Sequence, residues 1–96
     1  MMPTEITPAD VKAMLQRGDD FLLIDVRETF EHKVRNIPQA MLIPMNDVPR
    51  RLSEIDPARR IVVHCKAGGR SARVCDFLRQ NGYKNVLNMS GGIDCW

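Results

Sequence analysis

Cys65 and Arg70 stand in the run Ile61-Val62-Val63-His64-Cys65-Lys66-Ala67-Gly68-Gly69-Arg70-Ser71. The apolar residues read as a buried strand, the glycines as a tight loop, and Arg70 and Ser71 as the first turn of a helix. A thiol at such a junction sits among backbone N–H groups at a helix N-terminus, where partial positive charge favours thiolate over thiol. Cysteine pKa values in these settings fall to roughly 3.5–7.5. Gly68 and Gly69 are expected to let the backbone curl so that successive N–H groups face inward, and Arg70 adds a fixed cation. The chemistry expected is that of a nucleophilic sulfur that meets small anions. A cysteine ending an apolar strand is often only a small core residue. Here Lys66, the two glycines, Arg70 and the amphipathic helix that follows argue for reactivity instead.

The other candidates carry less. His64 precedes the cysteine, but adjacent strand residues point to opposite faces, so a sheet-facing histidine is expected rather than a catalytic base. His32 falls in a short segment where a surface role is expected. Cys75 lies on the apolar face of the helix and is expected in the core. Cys95, near Trp96, is expected to be exposed, with a relay thiol as its functional alternative. Asp25 and Arg27 are expected to support the loop through hydrogen bonds or ion pairs rather than to react. Arg50, Arg51, Arg59 and Arg60 read as solvated charge, with an acidic partner as the alternative.

Composition limits the remaining classes. Ninety-six residues fit one small domain spanning 1–96, and 44% hydrophobic with 27% charged residues is ordinary globular usage. No apolar stretch approaches the roughly 18 residues of a membrane span, and Met1-Met2-Pro3 has no basic n-region, so a cytoplasmic protein is expected. Three cysteines without a CxxC pair, joined by two histidines, argue against a disulfide framework and against a metal centre. A net charge of +2 with one Trp, one Tyr and three Phe gives no platform for nucleic acid. No cofactor is implied.

The elements around the loop can be read in order. Thr7-Pro8-Ala9-Asp10 is a helix start, with a hydroxyl N-cap, proline at the first helical position and an acid in the first turn. Val11, Met14 and Leu15 form its apolar face and Gly18 ends it. Phe21-Leu22-Leu23-Ile24, ending at Asp25, is a strand buried on both faces, as in parallel sheets. Residues 40–43 before Pro44 read as a short strand, and Val48, Leu52 and Ile55 predict a helix over 46–55. A central strand at 61–64, a helix over 71–80 capped by Asn81-Gly82, and a strand over 85–89 follow. Alternation at this spacing predicts an α/β fold: an open, mostly parallel sheet of about five short strands with helices on both faces. Ligands bind such sheets beyond the carboxyl ends of the strands, where Asp25 and Cys65 both lie.

These residues resemble the rhodanese family of sulfurtransferases along almost the whole chain. The resemblance is carried by Ile24-Asp25-Val26-Arg27-Glu28 with Glu31, by Asn36-Ile37-Pro38-Gln39-Ala40 with Ile43-Pro44, by the loop from Cys65 to Ser71, and by Ser90-Gly91-Gly92-Ile93 leading to Trp96. It implies a rhodanese-like fold and a persulfide on Cys65, with Lys66, Ala67, Gly68, Gly69, Arg70 and Ser71 cradling the sulfur and the incoming anion. Thiosulfate or another sulfane donor would supply the sulfur, and cyanide, a thiol or a sulfur-carrier protein would accept it. The family usually carries Gly-His-Ile-Pro-Gly-Ala where this chain has Arg35 to Ala40, a departure outside the loop.

Two further classes share parts of this pattern. Cysteine-dependent phosphatases and arsenate-type enzymes also combine a cysteine, a nest of N–H groups and an arginine. They place one residue more in the loop, whereas four separate Cys65 from Arg70. A protein-interaction module of the same fold would need neither residue.

Overall fold

A strand that opens with three consecutive apolar side chains must be covered on both faces, which an edge position cannot provide. Ile61–His64 (β4) accordingly sits at the centre of the sheet in the computed structural model, which describes residues 4–96. Leu22–Asp25 (β2) pairs along one side of β4 and Val86–Met89 (β5) along the other. Glu5–Ile6 (β1) closes the β5 edge and Met41–Leu42 (β3) the β2 edge. The five-stranded order is β1-β5-β4-β2-β3, parallel throughout. This is the expected sheet.

Two apolar layers flank it. Val11 from helix α1 (Pro8–Arg17) packs with Leu23, Ile37, Val62, Met89 and Ile93 on one face. Val74, Cys75 and Leu78 from helix α3 (Gly69–Gln80) pack with Ile24, Val48, Ile55 and Val63 on the other. Thr7 caps α1 as its sequence predicts, accepting the Asp10 N–H at 3.1 Å, and Gly18 closes it at φ +72°. A third short helix, α2 (Thr29–Val34), buries no residue and is held at its ends instead.

One expectation fails in kind. Residues 46–55 form 3₁₀ turns, Met45–Asp47 and Pro49–Glu54, rather than an α-helix. Pro49 has no N–H to return to the Met45 carbonyl, so the bonds fall to the shorter spacing, Val48 N–H to Met45 O at 3.3 Å and Arg51 N–H to Val48 O at 3.1 Å. The apolar spacing still sends Val48 and Ile55 into the core, both 1% exposed. The helix over 71–80 starts two residues earlier, at Gly69. Strand β1, only two residues long, gives no periodic signal.

Candidate active site

Cys65 directly follows β4, so the sheet delivers its thiol to the carboxyl ends of the strands, and the loop then bends back over it. Gly68 takes φ +111° and caps α3, a conformation that any side chain would strain. Gly69 takes an ordinary helical conformation with open space around it, so only one of the two glycines is needed for the curl. The Gly68 N–H donates to the Cys65 Sγ at 3.1 Å, and the Ser71 hydroxyl lies 3.3 Å from the same sulfur. The thiol is 1% exposed. Burial pushes its pKa up, but the Ser71 hydroxyl and the N–H groups of Ser71, Gly68 and Ala67 outweigh that and hold it below the ordinary thiol value.

The loop keeps its carbonyls turned away. The Cys65 carbonyl accepts the Ile93 N–H at 2.9 Å and the Lys66 carbonyl accepts the Asp94 N–H at 3.0 Å. Those donors come from a 3₁₀ turn at Gly92–Cys95, which approaches so closely that a Cβ on Gly92 would overlap both carbonyls. Gly92 also has φ +61°. The closing glycine therefore fastens the segment holding the acceptors, which leaves the N–H side facing the sulfur.

Of the side chains expected in the cradle, two face elsewhere. The Lys66 ammonium is exposed and pairs with Asp94 at 2.9 Å. The Arg70 guanidinium engages Glu31 through two bonds, 2.7 and 2.9 Å, in the bidentate geometry that arginine favours. Arg70 in turn holds the Glu31 carboxyl down at about 2. Glu31 Oε1 also accepts the Glu28 N–H at 3.0 Å, closing a capping box at the start of α2.

Asp25 and Arg27 occupy the end of β2 and the residues after it. Asp25 is wholly buried and receives Arg27 Nε at 3.0 Å and Nη2 at 2.8 Å. Burial raises the Asp25 pKa, but the bonds from Arg27 and His32 bring it below the ordinary value. Arg27 Nη2 reaches on to the Arg35 carbonyl at 2.7 Å, pinning the end of α2 that presents Glu31 to Arg70. His32 corrects an expectation: its Nδ1 lies 2.9 Å from Asp25 Oδ2 and the ring is only 25% exposed. It is half-buried and contacts the buried Asp25 carboxylate.

His64 is fully buried, with Nδ1 3.2 Å from the Cys65 carbonyl and Nε2 3.9 Å from Asp25 without a hydrogen bond. Burial lowers its pKa. Cys75 is buried and Cys95 exposed, and all three cysteines are free. Among the described residues, no three His, Cys, Asp or Glu side chains converge as a metal site. A cleft of about 280 Å³, lined by Arg27, Phe30, Glu31, Val34, Lys66 and Ile93 among others, opens beside the loop. A larger cavity, about 530 Å³, includes Arg60 and Asn85 at the opposite ends of β4 and β5 and lies away from the thiol.

Asn88 was not singled out by the sequence. Its amide, 5% exposed, bridges the Gly68 carbonyl, Glu5 and the Ser71 hydroxyl beneath the loop. A polar residue inside an otherwise apolar strand was the available signal.

The rhodanese-like domain profile matches residues 7–96. The chain belongs to that family. Within this rhodanese-like domain the loop from Cys65 to Ser71 joins the carboxyl end of β4 to the first turn of α3. The chain is 40% identical over 95 residues to a sulfurtransferase of Allochromatium vinosum, covering 99% of this chain and 89% of that protein. It is 38% identical to the putative sulfurtransferase YtwF of Bacillus subtilis, covering 96% and 88%. A crystal structure of a rhodanese-like domain protein from Staphylococcus aureus superposes with a TM-score of 0.91 at 33% identity, over 99% of this chain and 91% of that one. No helix among the described residues is long and apolar enough to cross a membrane.

Proposed function

We propose that the chain is a sulfurtransferase that carries sulfane sulfur as a persulfide on Cys65. The observation that carries this reading is the convergence of N–H donors and the Ser71 hydroxyl on one buried sulfur. The family and the names of its relatives support the same class of reaction. In the first step the Cys65 thiolate attacks the outer sulfur of thiosulfate. A new S–S bond forms, the thiosulfate S–S bond breaks, and sulfite leaves with its electron pair. The negative charge then rests on the terminal sulfur, within reach of the loop N–H groups. In the second step cyanide, a thiolate or a sulfur-carrier protein attacks that terminal sulfur and Cys65 departs as the thiolate. Lys66 at the rim and Arg70 beside the loop attract the anionic donor. Three free cysteines suit the reducing cytoplasm.

The loop length favours sulfur over phosphorus. Four residues between Cys65 and Arg70 make a shorter cradle than the phosphatase loop; a sulfane sulfur needs room for one atom beyond the thiolate, whereas a phosphoryl group brings three equatorial oxygens that all need donors. Mass spectrometry after thiosulfate treatment without reductant tests the proposal. The Cys65 peptide should gain one sulfur, lose it to cyanide, and gain none in Cys65→Ser. Phosphatase turnover that depends on Cys65, with no sulfur gained, would replace this reading with the phosphatase one.

A further inference from the structure

We propose that Asn88 is a positioning residue that holds the Ser71 hydroxyl proton while the Cys65 sulfur is uncharged and releases it to the thiolate. The proposal rests on the persulfide reading, because it concerns what happens beneath the sulfur as its charge comes and goes.

Parallel register sets Glu5 of β1 beside Asn88 of β5. The Asn88 Nδ2 donates to Glu5 Oε2 at 2.9 Å and to the Gly68 carbonyl at 3.2 Å. Both partners can only accept, so the amide has one workable orientation, and its Oδ1 faces the Ser71 oxygen at 2.5 Å. Ser71 is wholly buried and has one proton for three acceptors: Asn88 Oδ1, Cys65 Sγ at 3.3 Å and the Gly68 carbonyl at 3.2 Å. The Gly68 carbonyl already receives the Ala72 N–H and the Asn88 amide. The contest is therefore between Asn88 and the sulfur.

A thiolate wins that contest, because a hydrogen bond to an ionised acceptor is roughly twice as strong as a neutral one. Once Sγ bears a proton or a second sulfur it is a weak acceptor, and a buried hydroxyl left without a partner is costly. Asn88 Oδ1 removes that cost in the uncharged and loaded states alone. It thus opposes the free thiolate and favours the persulfide. The charged and titratable groups around the sulfur are Arg70 with Glu31, Lys66 with Asp94, Asp25 with Arg27, His64 beside Asp25, and Glu5 behind the amide. Replacing Asn88 changes none of them.

The test is the pH dependence of iodoacetamide alkylation at Cys65, followed on its peptide, in Asn88→Leu, Glu5→Ala, Ser71→Ala and the two double variants with Ser71→Ala. Asn88→Leu should move the midpoint down and speed alkylation below it. A hydrogen bond freed for the thiolate raises the thiolate fraction, and lower nucleophilicity returns about half of that gain in logarithmic terms, leaving roughly a two- to threefold rise. Glu5→Ala, at an exposed position, should move it the same way by less, since it only unlocks the amide. Ser71→Ala should move the midpoint up and abolish both effects, which a change in Coulomb field would survive. A merely structural Asn88 would loosen the loop and raise the midpoint. That outcome, or equal effects with and without Ser71, overturns the proposal; should Asn88→Leu not fold, Glu5→Ala decides by the same criteria. Alkylation reads the thiolate whether or not a persulfide ever forms, so failure of the sulfur-transfer reading remains separately visible by mass.

Discussion

Cys65 and Cys75 carry the same side chain, each 1% exposed, within one loop-and-helix unit. Burial pushes the Cys75 thiol up to about 12, with Arg79 offsetting little of it. The same burial acts on Cys65, yet its thiol lies below the ordinary value because Ser71, Gly68 and Ala67 direct donors at it. The difference is one of position along α3. Cys65 faces the open end of the helix, whose first N–H groups have no carbonyl to bond, while Cys75 lies in the middle of the helix, where those groups are consumed and it packs in the apolar cluster with Val74, Leu78 and Val63. Depth in the protein does not make a cysteine reactive; unspent donors do.

The comparison can be broken most directly at the sulfurs. Cys65→Ser should abolish thiosulfate:cyanide transfer and Cys75→Ser should retain most of it, measured as thiocyanate formed per protein. Transfer that survives Cys65→Ser, or vanishes in a folded Cys75→Ser, would reverse the two roles. A subtler attack leaves Cys65 in place and disturbs the acceptors fastened behind it. Gly92→Ala combines an unfavourable φ with an overlap against the Cys65 and Lys66 carbonyls, and should cost about 3 kcal/mol in urea unfolding. With the loop shifted, the remaining Cys65 thiol should titrate upward, towards the behaviour of Cys75.

The smallest effect belongs to Glu31→Gln, which separates charge from donors. The Glu31 pKa falls from 4.5 to about 2 on folding, so its contribution to stability is complete above 4.5 and disappears as pH falls towards 2. The glutamine variant should be less stable near neutral pH and should lose less stability on acidification across that window, as followed by circular dichroism. Arg70 keeps its charge in this variant, so the Cys65 titration should shift only slightly downward. A shift larger than that of Gly92→Ala would mean that charge, not N–H donors, separates the two thiols.

Much of this was legible because local rules and tertiary structure agree. The apolar run at Ile61–Val63, the Thr7 cap and the curl at Gly68 each carry a physical reason that survives in the fold. What escaped depends on partners distant in sequence. Nothing near Arg70 tells that Glu31 will take its guanidinium, nothing near His32 tells that Asp25 will be buried beneath it, and β1 exists only because β5 offers an edge. Nothing near Lys66 tells that its ammonium will pair with Asp94. Pro49 was the one local signal outweighed by an apolar spacing that both kinds of helix can satisfy.

The Ile93 and Asp94 bonds to the Cys65 and Lys66 carbonyls give the thiol a schedule. The loop that bears it is synthesised before the turn that fastens it. A chain lacking that turn would leave the Cys65 and Lys66 carbonyls unfastened and free to swing towards the sulfur, which disfavours the thiolate. The cradle is thus completed late, by a turn that follows the loop, helix α3 and strand β5 in the chain. The sulfur therefore reports completion: a nascent or misfolded copy would hold a smaller thiolate fraction than the finished domain.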